Sequence, residues 1–289
     1  MTQVMGFLET LGYFWFNGII KPYSKTNYMD RISTILVPFD FTKASKKALE
    51  YAIGFVGRLD DIKIVLAYVS GNCNLELLPE NFEKLEKEYR AKLKNKLEWK
   101  IQNGSLVQTL FDIKKTERID LIIMGTSGIE GHEDKQHTNT EELVLSSKCP
   151  VLVVPDSYKE YNLAHIALVL GKEKIDDPEV LGTLLRVARK CNAKVHVLTV
   201  ENKPGIYGYS KEEEQNEKAI EYYLETFYKE RVFIKNEDVL EGISNYAIKH
   251  DIDLVAILPR NHVKHSAPSE GQLTQSLVQN SKVPILVLE

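Results

Sequence analysis

The sequence predicts tandem α/β sandwich domains, and two observations predict it. The first is an internal repeat. "RISTILVPFD" (31–40) resembles "LAHIALVLGK" (163–172) with Ile32 falling on Ile166, 134 residues on. "IDLIIMG" (119–125) matches "IDLVAIL" (252–258) at 133, and "SKCPVLVVP" (147–155) matches "SKVPILVLE" (281–289) at 134. Matches in one order at nearly one offset mark a duplicated domain. The polar stretch "DSYKEYNL" (156–163) separates copies covering 29–156 and 163–289. The second observation is alternation of near-continuous apolar runs with helical stripes, the pattern of a parallel sheet covered by helices on both faces.

The elements follow in order. "TILVPF" is a fully covered strand. Ala48, Ala52, Phe55, Val56 and Leu59 fall on one helix face. "KIVLAYV" is the second strand, residues 79–97 a long charged helix, "LEWKIQ" the third strand and Leu106–Lys115 a helix. "DLIIMG", the helix "TEELVLSSK" and the strand "PVLVVP" complete the copy. In the second copy, Asp177-Pro178 pairs an N-cap with proline at the first helical position. Val180, Leu184, Val187, Ala188 and Cys191 then form the buried stripe, and "KVHVLTV", "RVFI", "DLVAIL" and "PILVL" supply strands.

Hydrophobic content of 43% and charged content of 27% are those of a globular chain. A net charge of −4 gives no electrostatic reason to expect nucleic acid. Cys73, Cys149 and Cys191 make no CxxC pair, which suits a reducing cytoplasm and argues against a disulfide framework or zinc site. Residues 1–28 contain the run "GYFWF", with the first cation only at Lys21. That is no signal peptide and too short for a spanning helix. It is expected to be an extension not needed for folding, rather than a membrane-surface or partner-binding helix, and no membrane is expected as a partner.

In open parallel sheets, ligands sit beyond the carboxyl ends of the strands. In the first copy those ends carry Pro38-Phe39-Asp40, Val69-Ser70 and Met124-Gly125-Thr126-Ser127-Gly128. A carboxylate there can accept from a ribose or base, and glycines let amides approach an anion. Glycines at such a turn also serve a positive φ, so GxxG by itself leaves both readings open.

These residues resemble the universal stress protein family. The resemblance is carried by "ILVPFDFTKASKKALEYA" (35–52), "DLIIMGTSG" (120–128), "TNTEELVLSSKCPVLVVP" (138–155) and their echo in the second copy. It implies two doubly wound domains, each with a five-stranded parallel sheet, packed as a pseudo-dimer through their fifth strands, with a further homodimer open. It also implies a site for ATP or another adenine nucleotide; no metal is expected. Family members that bind ATP carry a G-x2-G-x9-G-(S/T) loop, an aspartate after the first strand and a valine ending the second. Here Asp40, Val69, Gly125 and Gly128 fit. The third glycine does not, because His137 takes its place and Thr138 the hydroxyl position, one residue early. The nucleotide-binding set is then Pro38, Asp40, Val69, Met124, Gly125, Gly128, His137 and Thr138.

The second copy departs further, with Gly171 or Lys172 in place of the aspartate and Leu258-Pro259 in place of Met-Gly. Arg260 and Lys264 there read as a solvated basic loop. His132, Glu133, Asp134 and His137, with His262 and His265, are metal-ligating types in polar loops without a fixed geometry. No catalytic motif of the GxSxG, GxxxxGK(S/T) or HExxH kind occurs. The expected function is a non-catalytic, cytoplasmic universal stress protein whose first domain weakly binds an adenine nucleotide in a stress response. The alternative is a structural or interaction protein of the same fold with both sites lost; a weak ATPase would need a positioned base and metal clamp.

Overall fold

The computed structural model describes residues 13–16, 19–22, 31–70, 78–126, 139–147, 149–171, 180–201, 218, 220–258 and 272–288. Residues 1–31 and 32–289 form two compact units. In the first, β1 (Tyr13–Phe16) pairs antiparallel with β2 (Ile19–Pro22), Phe16 opposite Ile19. The aromatic run is thus a strand and not a surface helix.

In the second unit, β3 (Thr34–Pro38) is buried throughout. Helix α1 (Lys43–Val56) starts at Thr42, whose Oγ1 accepts from the Ser45 N–H at 3.3 Å. It stops at Gly57, whose φ of +70° ends the helical path. Leu59, expected on the buried stripe, lies past that stop and is 88% exposed. After β4 (Lys63–Ser70), α2 (Leu78–Tyr89) is shorter than expected. Arg90–Lys92 form one 3-10 turn, and the Arg90 guanidinium donates to the Leu93 and Lys94 carbonyls. The chain leaves the helix there, and Leu93 and Leu97 are buried in the core beyond it. Then come β5 (Glu98–Asn103), α3 (Leu106–Thr116), β6 (Leu121–Thr126), α4 (Asn139–Ser146) and β7 (Val151–Pro155).

The second half repeats this with β8 (His165–Val169), α5 (Leu181–Cys191), β9 (Lys194–Glu201), β10 (Tyr228–Lys235), α6 (Val239–Lys249), β11 (Leu254–Ile257), α7 (Gln272–Asn280) and β12 (Ile285–Val287). Asp177-Pro178 lies outside the described residues. Val180, Leu184, Val187 and Ala188 are buried as expected, Leu181 joins them, and Cys191 is only partly buried.

The ten described strands of this unit form one sheet, ordered β10-β9-β8-β11-β12-β7-β6-β3-β4-β5. Each half has the doubly wound order with its first strand central. Within each half the pairs are parallel, and the joint between β7 and β12 is antiparallel. Leu152 faces Leu286 across that joint, and those two positions correspond at the 134 offset. Val151 faces Val287, and Val153 faces Ile285, so the pairing is unchanged when the halves are exchanged. The fifth strands therefore meet about a local twofold, an isologous contact inside one chain. Joining them also removes an apolar strand edge from each half. The halves touch at helices too. The Lys190 ammonium of α5 donates to the Val56 carbonyl of α1 at 3.3 Å, and the Tyr161 ring of the joining stretch lies so close to Gly54 that a Cβ there would come within 2.5 Å of Cγ.

The structure shifts one part of the repeat. Ile35 pairs with Leu121 as Ile166 pairs with Leu254, so Ile35, not Ile32, corresponds to Ile166. Both copies then show a feature the sequence pattern did not single out. Asp120 Oδ2 accepts from Ser33 N, Ser33 Oγ and Thr34 N at 2.8, 2.6 and 3.1 Å. Asp253 Oδ2 accepts from Ala164 N and His165 N at 2.8 and 2.9 Å. Each carboxylate ties the start of its half's central strand to the fourth. Asp120→Ala should cost about 2–3 kcal/mol, because it strands the buried Thr34 N–H and frees Ser33, and Asp253→Ala less, because that site is more open. Urea unfolding of the two variants measures the difference.

Candidate functional site

The topological switch point of the first half lies between β3 and β6, where the connections diverge to opposite sides. Four of the predicted residues flank it. β3 carries the chain through Pro38 and Phe39 to Asp40, with the Phe39 N–H bonded to the Ala67 carbonyl of β4 at 2.9 Å. β6 brings Met124, buried, and Gly125, half-buried, to its carboxyl end. Val69, half-buried near the end of β4, stands one strand away from β3. The structure thus brings Pro38, Asp40, Val69, Met124 and Gly125 to the carboxyl ends of three adjacent strands. Gly128, His137 and Thr138 lie outside the described residues, as do His132, Glu133, Asp134, His262 and His265.

Asp40 is exposed and held in one pose. Its Oδ1 accepts from Thr42 N at 3.0 Å and Thr42 Oγ1 at 2.6 Å, an Asx turn leading into α1. Partial burial pushes this carboxyl up, but the Thr42 and Ser45 hydroxyls and backbone N–H groups outweigh it, and its pKa falls below the ordinary value. Oδ2 has no hydrogen bond among the described residues. Asp40 is therefore an ionised, oriented acceptor whose second oxygen is unbonded among the described residues. Phe41, next in the chain, has a φ of +66°, a costly conformation for a bulky residue. That backbone accompanies a ring turned into an aromatic cluster, 4.9 Å from Phe39 and 5.0 Å from Phe82 between centroids, while Asp40 stays at the surface.

Gly125 has a reason of its own. A Cβ there would lie 2.0 Å from the Ala44 carbonyl oxygen and 2.4 Å from its carbon. The glycine lets the first turn of α1 press against β6, which carries the positive end of a 14-residue helix to the switch point. Sequence reasoning missed Lys43 at this turn, where its ammonium pairs with Asp156 Oδ2 at 3.0 Å. The pair is exposed and worth little to stability.

The second half lacks this arrangement. The Leu170 N–H bonds the Leu198 carbonyl at 2.9 Å, as Phe39 does Ala67, so Gly171 occupies the place of Asp40. Leu258 stands where Gly125 stands in the first half, and its side chain packs on the core.

Residues 31–155 match the model of the universal stress protein family. The chain carries a universal stress protein domain. Among solved structures, a universal stress protein from Archaeoglobus fulgidus DSM 4304 is 18% identical with a TM-score of 0.60, and the match covers 88% of this chain and 97% of that one. A functionally unknown protein from Pseudomonas aeruginosa PAO1 is 16% identical with a TM-score of 0.57, covering 91% and 94%. The cytoplasmic domain of a prokaryotic cation chloride cotransporter is 10% identical with a TM-score of 0.51, covering 89% and 95%. At such identities the likeness is one of fold, and it runs over both halves of the ten-stranded unit. No curated protein matches the chain. No described helix is long and apolar enough to cross a membrane, and no three metal-ligating side chains converge among the described residues.

Proposed function

We propose that this universal stress protein is a non-catalytic, nucleotide-responsive module of the cytoplasm. Its domain at 29–156 binds an adenine nucleotide weakly, and its domain at 163–289 serves as a structural partner, with residues 1–28 outside both. The observation that carries this reading is Asp40: ionised, oriented by Thr42, exposed at the switch point and with one oxygen open to a ribose hydroxyl or an adenine amine. Gly125 supports it by admitting the α1 N-terminus, a favourable neighbour for phosphate. Pro38, Val69 and Met124 would wall the base. Gly128, His137 and Thr138 would complete the phosphate side, where a histidine in place of glycine keeps amides from close approach. Service in a stress response, and any further homodimer, belong to the same proposal.

Calorimetric titration of the full chain with ATP, ADP and AMP tests it. Asp40→Ala should weaken binding about tenfold, the worth of one charge-assisted hydrogen bond. Asp40→Asn keeps an acceptor for the Thr42 turn, so a loss shared by both variants reports the missing carboxylate and not a loosened helix start. His137→Gly should strengthen binding. If wild type takes up no adenine nucleotide at millimolar concentration, the alternative of a purely structural protein stands.

A further inference from the structure

The second half holds a polar chain that the first half lacks. His196 on β9 is 1% exposed. Its Nε2 lies 3.3 Å from His165 Nδ1 on β8, and its Nδ1 lies 2.9 Å from the Tyr246 hydroxyl on α6. His250, just past α6, stacks on the Tyr246 ring with centroids 4.1 Å apart. Beyond the sheet partner, Glu230 Oε1 on β10 approaches His196 Nδ1 at 3.2 Å. The strand pairings put Thr34 and Val65 at the places of His165 and His196. Ile113, which falls at the place of Tyr246 at the 133 offset, is likewise buried. At these places the first half carries Thr34, Val65 and Ile113, none of which titrates, and so provides an internal control.

The hydrogen bonding limits what the chain tolerates. At 3.3 Å, His165 Nδ1 and His196 Nε2 can share one proton, so one nitrogen donates while the other accepts. A second proton sets two N–H groups against each other. A proton added to His196 also places a charge between the sheet and α6, away from water. Among the charged and titratable groups facing it, Lys229 of β10, His165 of β8 and His250 oppose that charge, and only Glu230 of β10 favours it.

We propose that the His165–His196–Tyr246 chain is an acid-sensitive latch, which holds α6 to the sheet at neutral pH and releases it on acidification while the first half stays closed. Burial first, then the Lys229 ammonium, push the His196 pKa down to about 4 from an ordinary 6.5. The sign follows from that direction. The unfolded or released state binds the proton more readily, so the latch is at full strength above pH 6.5 and weakens as pH falls towards 4.

Hydrogen–deuterium exchange of the full chain at pH 7 and pH 5, corrected for intrinsic exchange, reads this directly. Protection of Val239–Lys249 should fall about 20-fold, the factor that this pKa difference gives over two pH units, while Leu106–Thr116 keeps its protection. In His196→Gln the two pH values should give equal protection of α6. Loss of protection in both helices together, or the same pH response in wild type and His196→Gln, would overturn the latch. Should that variant not fold, the imidazole titration of His196 in the wild type decides: a midpoint below 5 supports the latch, and one near 6.5 removes it.

Discussion

Leu152→Ala and Leu286→Ala should each lower the unfolding free energy by about 3–5 kcal/mol, and the double variant should lose less than the sum by about 1 kcal/mol. Both side chains are fully buried, and they stand opposite each other where β7 and β12 join. Each truncation removes transfer free energy and leaves a cavity that close-packed neighbours fill only in part. Because each leucine is part of the other's surroundings, the second truncation has less left to remove. The shortfall is the signature of the joint, since two independent domains would show additive losses. Urea unfolding of the four proteins in the cycle measures it, and additivity within about 0.4 kcal/mol would mean that the two halves do not share this contact.

Gly125→Ala should be as damaging as a core truncation, about 3 kcal/mol, although it adds only a methyl group. The added carbon would meet the Ala44 carbonyl, which is backbone, so relief requires either α1 or the end of β6 to move. Movement of α1 would also carry its N-terminus away from Asp40. The variant should therefore lose stability and nucleotide affinity together. Thermal unfolding that leaves the midpoint of Gly125→Ala unchanged would show that α1 does not press on β6 here.

The tandem architecture was legible because its cause is periodic. Near-continuous apolar strands, helical stripes and a repeat offset all survive in one dimension, and the fifth-strand joint follows from two apolar edges in one chain. What escaped was set by single contacts. The three-residue difference between offsets at the first and later strands became visible only when Ile35 and Ile166 were paired with their β6 and β11 neighbours. Leu59 fitted the helical period, but Gly57 had already ended the helix. β1 and β2 pair on either side of Asn17-Gly18, a strong two-residue hairpin signal that the composition of the run obscures. In the site, the strand-end residues could be read from family spacing. The local turn that orients Asp40 and the carbonyl that requires Gly125 could not, because each depends on a backbone position rather than a residue type. The latch escaped for the same reason: His165, His196 and Tyr246 are far apart in sequence, and only the β8–β9 register and α6 bring them together.

Amide chemical-shift mapping of the full chain with millimolar ATP, ADP and AMP tests the central claim most directly, because it reports place as well as binding. Shifts should saturate at Asp40, Thr42, Val69 and Gly125, with Leu170, Gly171, Ile257 and Leu258 unmoved. No saturating shift at the first set, or equal shifts at the second, would contradict it.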